Sequence, residues 1–468
     1  MIVTASARTF EAAFPVIVVG GGGCGLAAAL AAREAGVDAL VVERDGSPSG
    51  STGMSTGLIP AAGTPEQRAE GIDDSAALFA ADIMHKAGAT DAAVVHRIAR
   101  ESAETVAWLQ RHGIPLSLVE GFTYAGHSVR RMFGTPNRTG SELIAGLLDA
   151  VEAADVTLMT GATVETLFVD ADRRVIGIAV RRPDDSLEEI GCDALILACS
   201  GFGGNAALVH YTIPEIAQAV YHGHPGNRGD ALIWGQALDA ATADLDAYQG
   251  HGNLAVGHGI IINWPTIIQG GFQLNAQGER FYDESVGYSA AAAHVQGQPG
   301  HFAWTIFDAR IGAILDQFED FQDARRAGAI IEAEDLASLA DRTRLPEAAI
   351  KRALDDIAGF AAGRATDPFG RDFAGVPALV APYRAVRVNG ALLHTQGGLV
   401  VDGDARVLDR AGHPLPNLFA GGGAARGISG PGAKGYIAGN GLVTATTLGK
   451  IAGRVAAAQV GHAKDAVG

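Results

Sequence analysis

Cysteine is scarce in this chain. Only Cys24, Cys192 and Cys199 occur in 468 residues, and none falls in a CxxC or CxxCH. That pattern gives no zinc knuckle, dithiol motif or c-type haem attachment, and it fits a reduced, cytoplasmic setting. Long apolar runs are also missing. No stretch reaches the roughly 18 residues that cross a bilayer. The opening "MIVTASARTFEAAFP" lacks a basic region followed by an apolar core, so neither a membrane span nor an export signal is expected. Positive charge is short as well: 35 Lys and Arg stand against 52 Asp and Glu, a net charge of −17. That balance disfavours nucleic acid and anionic membranes as partners, although it leaves room for a local basic pocket.

Glycine, by contrast, is abundant. The 63 glycines are about twice the usual ~7% and follow no period, so collagen is excluded. They cluster where strands turn into helices. With 48% apolar and 19% charged residues the chain belongs among globular, soluble proteins. Its length suggests two or three domains.

The most informative stretch is "VIVVGGGGCGLAAALAAREAGVDALVVERD", residues 16–45. Val16 to Val19 is a buried strand. Gly20-x-Gly22-x-x-Gly25 follows at once, then an uninterrupted helix from Leu26 to Ala35 that Gly36 can end. A second buried strand, residues 38–44, carries Glu43 at its end. This is the arrangement of a dinucleotide site. The first glycine permits the tight turn, the second lets a pyrophosphate touch the backbone, and the third lets the helix pack on the sheet. The helix N-terminus offers N–H groups to the phosphates, and Glu43 is placed to bind a ribose. The next segment, "GSPSGSTGMSTGLIPAAGT", is a Ser/Thr/Gly loop and not a second regular βα unit. Small polar residues of this kind favour FAD over NAD.

Further along, two helices are expected in 74–112, and a polar loop leads into a helix over 121–148. A run of strands over 156–199 ends in "LACSGFGGN", and a capped helix is expected over 227–240. From about 241 to 375 the pattern turns strand-like and aromatic, with mainly helical, charged residues over 309–364. Glycine turns return in "HTQGGLVVDGDARVL" and "NLFAGGGAARGISGPGAKGYIAGNGL". A nucleotide domain interrupted by an inserted one explains this order.

The pieces "VVGGGGCGLAAA", "LACSGFGGN", "NRGDAL", "GERFYDE", "HTQGGL", "LFAGGGA" and "GNGLVTATTLGKIAG", in this order, resemble the fumarate reductase/succinate dehydrogenase flavoprotein family, which includes the 3-ketosteroid dehydrogenases. The likeness runs from about residue 15 to 457. It implies an α/β fold: a Rossmann-like, GR2-like FAD-binding domain (1–240 and 376–468) interrupted by an α+β capping or substrate domain (241–375) that closes over the flavin. It implies FAD contacts from Gly20, Gly22, Gly23, Cys24 and Gly25, from Glu43 and Arg44, and from Ser51, Thr52, Gly53, Ser55 and Thr56. Further contacts are implied from Ala162, Ser200, Gly201 and Asp230, and from Gly422, Asn440, Gly441 and Leu442. Covalent members carry a histidine in the loop after the ribose acid. "SGSTGMSTG" has none, which implies non-covalent FAD. The family's glutamate after "AG" is Gly423 here, so one ribityl contact is absent. With no haem or iron–sulfur ligation in the chain, a separate electron acceptor is implied.

Two departures bear on the chemistry. Fumarate reductases place an acid–base arginine eight residues after the arginine of their RF..E block. Counting from Arg280, the residue here is Tyr288, and ketosteroid dehydrogenases carry a tyrosine base in the corresponding place. A second arginine lies four residues before the Asn of GGN. Counting back from Asn440 gives Tyr436, near where the ketosteroid enzymes hold a ketone oxygen with a tyrosine and a backbone N–H. The segment "SGPGAKGY" is longer than its fumarate reductase counterpart. The resemblance thus implies that Tyr288 takes an α-proton, that Tyr436 and the Gly441 N–H hold a carbonyl oxygen, and that the helix starting near Gly441 faces the flavin. His251 and His394 match carboxylate-binding histidines; each either meets a polar substrate end or braces a loop. Arg426 is either an anion partner or an ordinary arginine. No metal is expected, because the histidine pairs lack clustered carboxylates or cysteines. The expected activity is FAD-dependent introduction of a C=C bond beside a carbonyl in a small molecule, such as a cyclic ketone or keto acid. The alternatives are the reverse enoate reduction and a non-catalytic flavin-binding protein.

Overall fold

The apolar run Val16–Val19 is the buried half of a longer strand, β1, Ala12–Val19. The structure, a computed structural model, describes residues 1–5, 8–121, 123–124 and 126–465. β1 lies between Ala39–Val42 (β2) and Leu187–Leu197 (β3), parallel to both. Pro414–Ala420 (β4) pairs parallel with the end of β3, and Thr157–Met159 pairs parallel with β2. Strands covered on both faces can be continuously apolar, which is why all four residues of β2 are buried. The first half of β3 joins an antiparallel meander with Val175–Arg181 and Thr163–Val169.

The register of these strands decides where chemistry can occur. Leu197 is level with Val19 and with Ala420, and Val19 is level with Val42. Four parallel strands therefore end on one line, and the segments starting at Gly20, Glu43, Ala198 and Gly421 leave the sheet at one edge. Ligands of open α/β sheets bind at such carboxyl edges.

The helix α1 (Gly23–Glu34) follows β1. Two helices, α2 (Ala76–Ala87) and α3 (Ala92–Arg111), occupy the region expected for them. The chain ends in α4, Asn440–Asp465. α1 and α4 cross at small residues. A Cβ at Gly449 would lie 2.3 Å from the Cys24 carbonyl oxygen, and one at Gly453 would lie 1.9 Å from that of Ala28. Much of the glycine and alanine in these helices is spent on this close approach.

By internal contacts the chain forms two units. The first is Met1–Leu208, Gly223–Ala247 and His394–Gly468; the second is Val209–His222 and Tyr248–Leu393. The second unit is built on a sheet in the order Ile260–Ile261, Tyr248–Ala255, Tyr383–Thr395, Ala303–Asp308, Phe272–Leu274. Its helix Tyr288–Gln296 lies on the strand Tyr248–Ala255, and again glycine permits the approach. A Cβ at Gly250 or Gly252 would come within 2.6 Å of the methyl of Ala292 or Ala291.

Local expectations need three corrections. The helix expected over 227–240 is Asp230–Ala237, and its N-cap Gly229 is left-handed with no side-chain cap. The helical stretch 309–364 is broken by the strand Ile330–Ala333, which pairs with Tyr383–Thr395. The Ser/Thr/Gly loop contains a one-turn helix, Gly50–Gly53. Among the described residues, no helix is long and apolar enough to cross a membrane.

Candidate functional site

At the carboxyl edge of the first unit the three motif glycines do different things. Gly20 has φ +108°, and a Cβ there would lie 2.6 Å from the Ala198 carbonyl oxygen. Gly25 has no room either: its Cβ would lie 1.8 Å from the Gly20 carbonyl oxygen. Gly22 is open, since its Cβ would meet only Thr52 Oγ1, at 3.9 Å. The first and third glycines thus serve the protein's own packing, and the second leaves a backbone surface free for a ligand.

The other residues expected to hold the cofactor gather around this turn. Glu43 is buried; its Oε2 accepts from the Gly21 N–H at 2.6 Å and its Oε1 from the Asp45 N–H at 2.9 Å. Arg44 is paired with Asp230 at 2.7 Å. Thr52 Oγ1 accepts from the Gly23 N–H at 3.1 Å, and Ser51 Oγ accepts from Asn227 Nδ2 at 2.8 Å. Ser55 closes the turn through Gly53 by donating to the Thr52 carbonyl at 2.7 Å, and its Oγ accepts from the Gly57 N–H at 3.2 Å, just past Thr56. Ala162 N–H donates to the Glu43 carbonyl. Cys24 stands in the first turn of α1, and burial pushes its thiol up to about 12. Ser200 is left-handed, and Gly201 packs on Thr395, whose Oγ1 a Cβ would meet at 2.1 Å. Gly422 is left-handed beside Cys24. Asn440 and Leu442 open α4. Asn440 is fully buried, yet its Oδ1 has no hydrogen-bond partner among the described residues. Such an atom is costly without a ligand. The open Gly22 backbone and this unpaired oxygen both fit a bound dinucleotide.

The start of α4 also brings together three residues expected at the substrate. The Gly441 N–H donates to Tyr436 Oη at 3.5 Å. A Cβ on Gly441 would lie 2.9 Å from His394 Nε2 and 3.7 Å from Tyr436 Oη. The His394 and Tyr436 rings meet edge-on at 6.1 Å. Burial pushes the His394 imidazole below its ordinary range, so it is neutral near pH 7. A chain of amides and a hydroxyl holds this corner: Asn440 Nδ2 donates to Ser429 Oγ at 3.1 Å, and Ser429 donates to Gln396 Oε1 at 2.9 Å. Gln396 Nε2 stands 3.0 Å from His394 Nδ1. Gln396 and Ser429 were not singled out from the sequence, although Gln396 lies inside the "HTQGG" block.

On the second unit, the helix that begins at Tyr288 is fastened to the strand that carries His251. Gly250 N–H donates to Ser289 Oγ at 2.9 Å. Tyr288 therefore stacks on His251 at 5.0 Å and 27°, with Trp264 edge-on to both rings. His251 Nδ1 accepts from the Asn253 N–H at 3.2 Å, which leaves Nε2 as the protonated nitrogen. Burial, aided by His222, pushes its pKa down to about 3, so this histidine is a neutral donor. Arg280 is ion-paired with Glu284 at 2.6 Å and with Asp367 at 2.7 Å. That buried pairing fixes the turn before Tyr288. Trp264 and Asn253 were missed because neither lies in a motif.

Arg426 is not a free cation. Its Nε donates to Asp244 Oδ2 at 2.6 Å. Among the described residues no group of three His, Cys, Asp or Glu could hold a metal ion.

A parallel sheet with an open glycine turn at its carboxyl edge and an acid after the second strand defines a dinucleotide-binding protein. The chain matches the FAD binding domain family over residues 15–442, and it belongs to the fumarate reductase/succinate dehydrogenase flavoproteins of that family. It binds FAD and is an FAD-dependent oxidoreductase acting on CH–CH groups. It is 28% identical over 446 residues to a probable fumarate reductase of Shewanella frigidimarina (strain NCIMB 400), covering 94% of this chain and 74% of that protein. The open conformation of a flavocytochrome c3 fumarate reductase superposes with a TM-score of 0.81 at 27% identity, covering 96% of this chain and 79% of that one. The 3-ketosteroid-Δ4-(5α)-dehydrogenase from Rhodococcus jostii RHA1 shares the fold, with a TM-score of 0.75 at 23% identity, covering 96% of this chain and 98% of that one.

Proposed function

We propose that the chain is a dehydrogenase that introduces a C=C bond next to the carbonyl of a ketone or keto acid. The observation that carries this is the meeting of Tyr436 Oη, the Gly441 N–H and His394 Nε2 around one point. An α-C–H is acidic enough to lose only if the enolate oxygen is stabilised. A carbonyl oxygen that takes over from the Tyr436 hydroxyl as acceptor of the Gly441 N–H would receive both that N–H and the hydroxyl proton in a dry corner, each worth roughly 3–4 kcal/mol as oxyanion donors. A carboxylate calls for arginine, and tyrosine stands at both 288 and 436. Tyr288 is assigned the α-proton, and the neutral His251 and His394 are assigned hydrogen bonds to a polar substrate end. FAD, held non-covalently, supplies the hydride acceptor and passes its electrons to a separate small or protein acceptor.

A second reading, enoate reduction, is favoured by the similarity to fumarate reductases. The same residues would then work in reverse, with Tyr288 returning the proton. Anaerobic rapid mixing separates the two. Bleaching of the oxidised protein by saturated ketones supports the first reading. Reoxidation of the reduced protein by enones or enoates, without any bleaching by ketones, supports the second. No response to either class would overturn both and leave a flavin-binding protein without turnover.

A further inference from the structure

His127 is a buried histidine with no part in the chemistry assigned above, yet it holds the segment that carries Tyr436. That segment, residues 427–439, is wedged by its glycines. A Cβ at Gly430 would lie 2.4 Å from the Ala89 carbonyl oxygen, at Gly435 2.9 Å from Ala87 Cα, and at Gly439 2.5 Å from Pro60 Cδ. At its far end, where the chain turns into α4, the carbonyl of Ala438 meets His127 Nε2 at 3.0 Å. The imidazole stacks on Phe79 of α2 at 6.0 Å.

What faces the other ring nitrogen fixes the tautomer. His127 Nδ1 lies 3.4 Å from Arg131 Nη1. The Arg131 side chain is fully buried, held by Asp82 at 2.5 Å and by Asp74 at 2.9 Å, with Phe79 under its guanidinium at 4.8 Å. Asp82 also accepts from the Ser128 N–H at 2.8 Å. Guanidinium nitrogens only donate, so Nδ1 must present its lone pair. The proton then resides on Nε2 and points at the Ala438 carbonyl. Burial and the Arg131 charge push the imidazole down to about 4, with Asp82 opposing. The ring is therefore neutral across the physiological range.

We infer that His127 is a positioning residue: its Nε2–H, oriented by Arg131, holds the Ala438 carbonyl and sets the turn that presents Tyr436 and Gly441. Its functional meaning rests on the reading of those two residues given above, but its test needs no turnover. In the FAD-loaded full chain, imidazole NMR is expected to show His127 as the neutral Nε2–H tautomer between about pH 5.5 and 8, where a free histidine titrates. An Nδ1–H tautomer, or titration at the ordinary value, overturns the inference whether or not any variant folds. Hydrogen exchange supplies the second measure. His127→Leu should speed exchange of the Tyr436–Gly441 amides by about tenfold or more, a local opening that leaves β1 to β3 protected. His127→Gln, which retains a donor near Nε2, should stay within about threefold of wild type. Wild-type exchange in the leucine variant, or equally fast exchange in both, overturns the inference. Tyr436→Phe should keep wild-type protection of the Tyr436–Asn440 amides, Gly441 excepted because its N–H donates to the Tyr436 hydroxyl, so a failure of the Tyr436 chemistry and a failure of the His127 bracket are read separately.

Discussion

Replacing the three motif glycines one at a time should separate folding from cofactor binding. Gly22 has φ −76° and ψ −177°, extended backbone that valine adopts readily, and only Thr52 Oγ1 lies near its Cβ position, at 3.9 Å. Gly22→Val should therefore cost about 1 kcal/mol, the loss of a tolerable helix N-cap. Gly25→Ala is different. Its Cβ would stand 1.8 Å from a backbone oxygen where unstrained contact begins near 3.4 Å, so the turn would have to open by about 1.6 Å (3.4 − 1.8). Overpacking of this kind costs about 1–3 kcal/mol or more. Gly20→Ala adds a positive φ to a 2.6 Å backbone contact. Flavin affinity should follow another order, because a valine at 22 occupies the surface that a pyrophosphate needs. The loss is at least roughly 3 kcal/mol, as for a lost anion donor. Urea midpoints of the apo-proteins and fluorescence titration with FAD measure the two effects. The expected result is a Gly22→Val protein that is folded and colourless, and a Gly25→Ala protein that is poorly folded. A Gly22→Val protein that binds FAD like wild type, or whose apo form is as unstable as Gly25→Ala, would refute the reasoning.

Wild-type protein should release free FAD on acid denaturation; flavin retained by the polypeptide would contradict non-covalent binding. Tyr288→Phe should slow flavin reduction by about 10²–10⁴-fold, the share of general acid–base catalysis, and Tyr436→Phe should lower kcat by about 10²–10³-fold, both with FAD content unchanged. Wild-type rates in both variants would remove the tyrosine assignment. Gly441→Ala places a methyl 2.9 Å from His394 Nε2, so it should keep the fold but lose roughly 10²-fold in kcat/KM per bound flavin; an unaffected kcat/KM would mean that no substrate oxygen sits there. His127, with its pKa lowered from 6.5 to about 4, is protonated earlier in the unfolded chain than in the folded one. Stability is therefore retained above about pH 6.5 and lost as pH falls toward 4, by about 3 kcal/mol for this group. Thermal unfolding against pH should show a shallower acid slope in His127→Gln than in wild type; identical slopes would contradict the assignment.

The cofactor half of this protein is written locally. A buried strand, a glycine turn, a helix and an acid lie within residues 16–45, and the steric exclusion at Gly25 acts within the same turn, against the Gly20 carbonyl; that at Gly20 acts against Ala198, on another strand. The family follows from a series of short blocks, each of which folds largely on its own pattern. Tyr436, Asn440 and Gly441 are also close in sequence, so their gathering at the start of α4 was legible from spacing. Spacing does not tell which partners saturate a side chain. The sequence leaves Arg426 as either an anion partner or an ordinary arginine, and only the fold shows that its Nε donates to Asp244, 182 residues away. The protonation of His251 depends on a backbone N–H two residues on and on burial that no motif records. The Gln396–Ser429–Asn440 chain joins three segments through hydrogen bonds whose residue types are common in any loop. His127 and the Ala438 carbonyl stand 311 residues apart. Helix and turn patterns depend on local conformation, which the sequence carries; close approaches at Gly20, Gly449 and Gly453, tautomers, ion pairs and desolvation depend on which distant atoms come near a group, and only tertiary packing decides that.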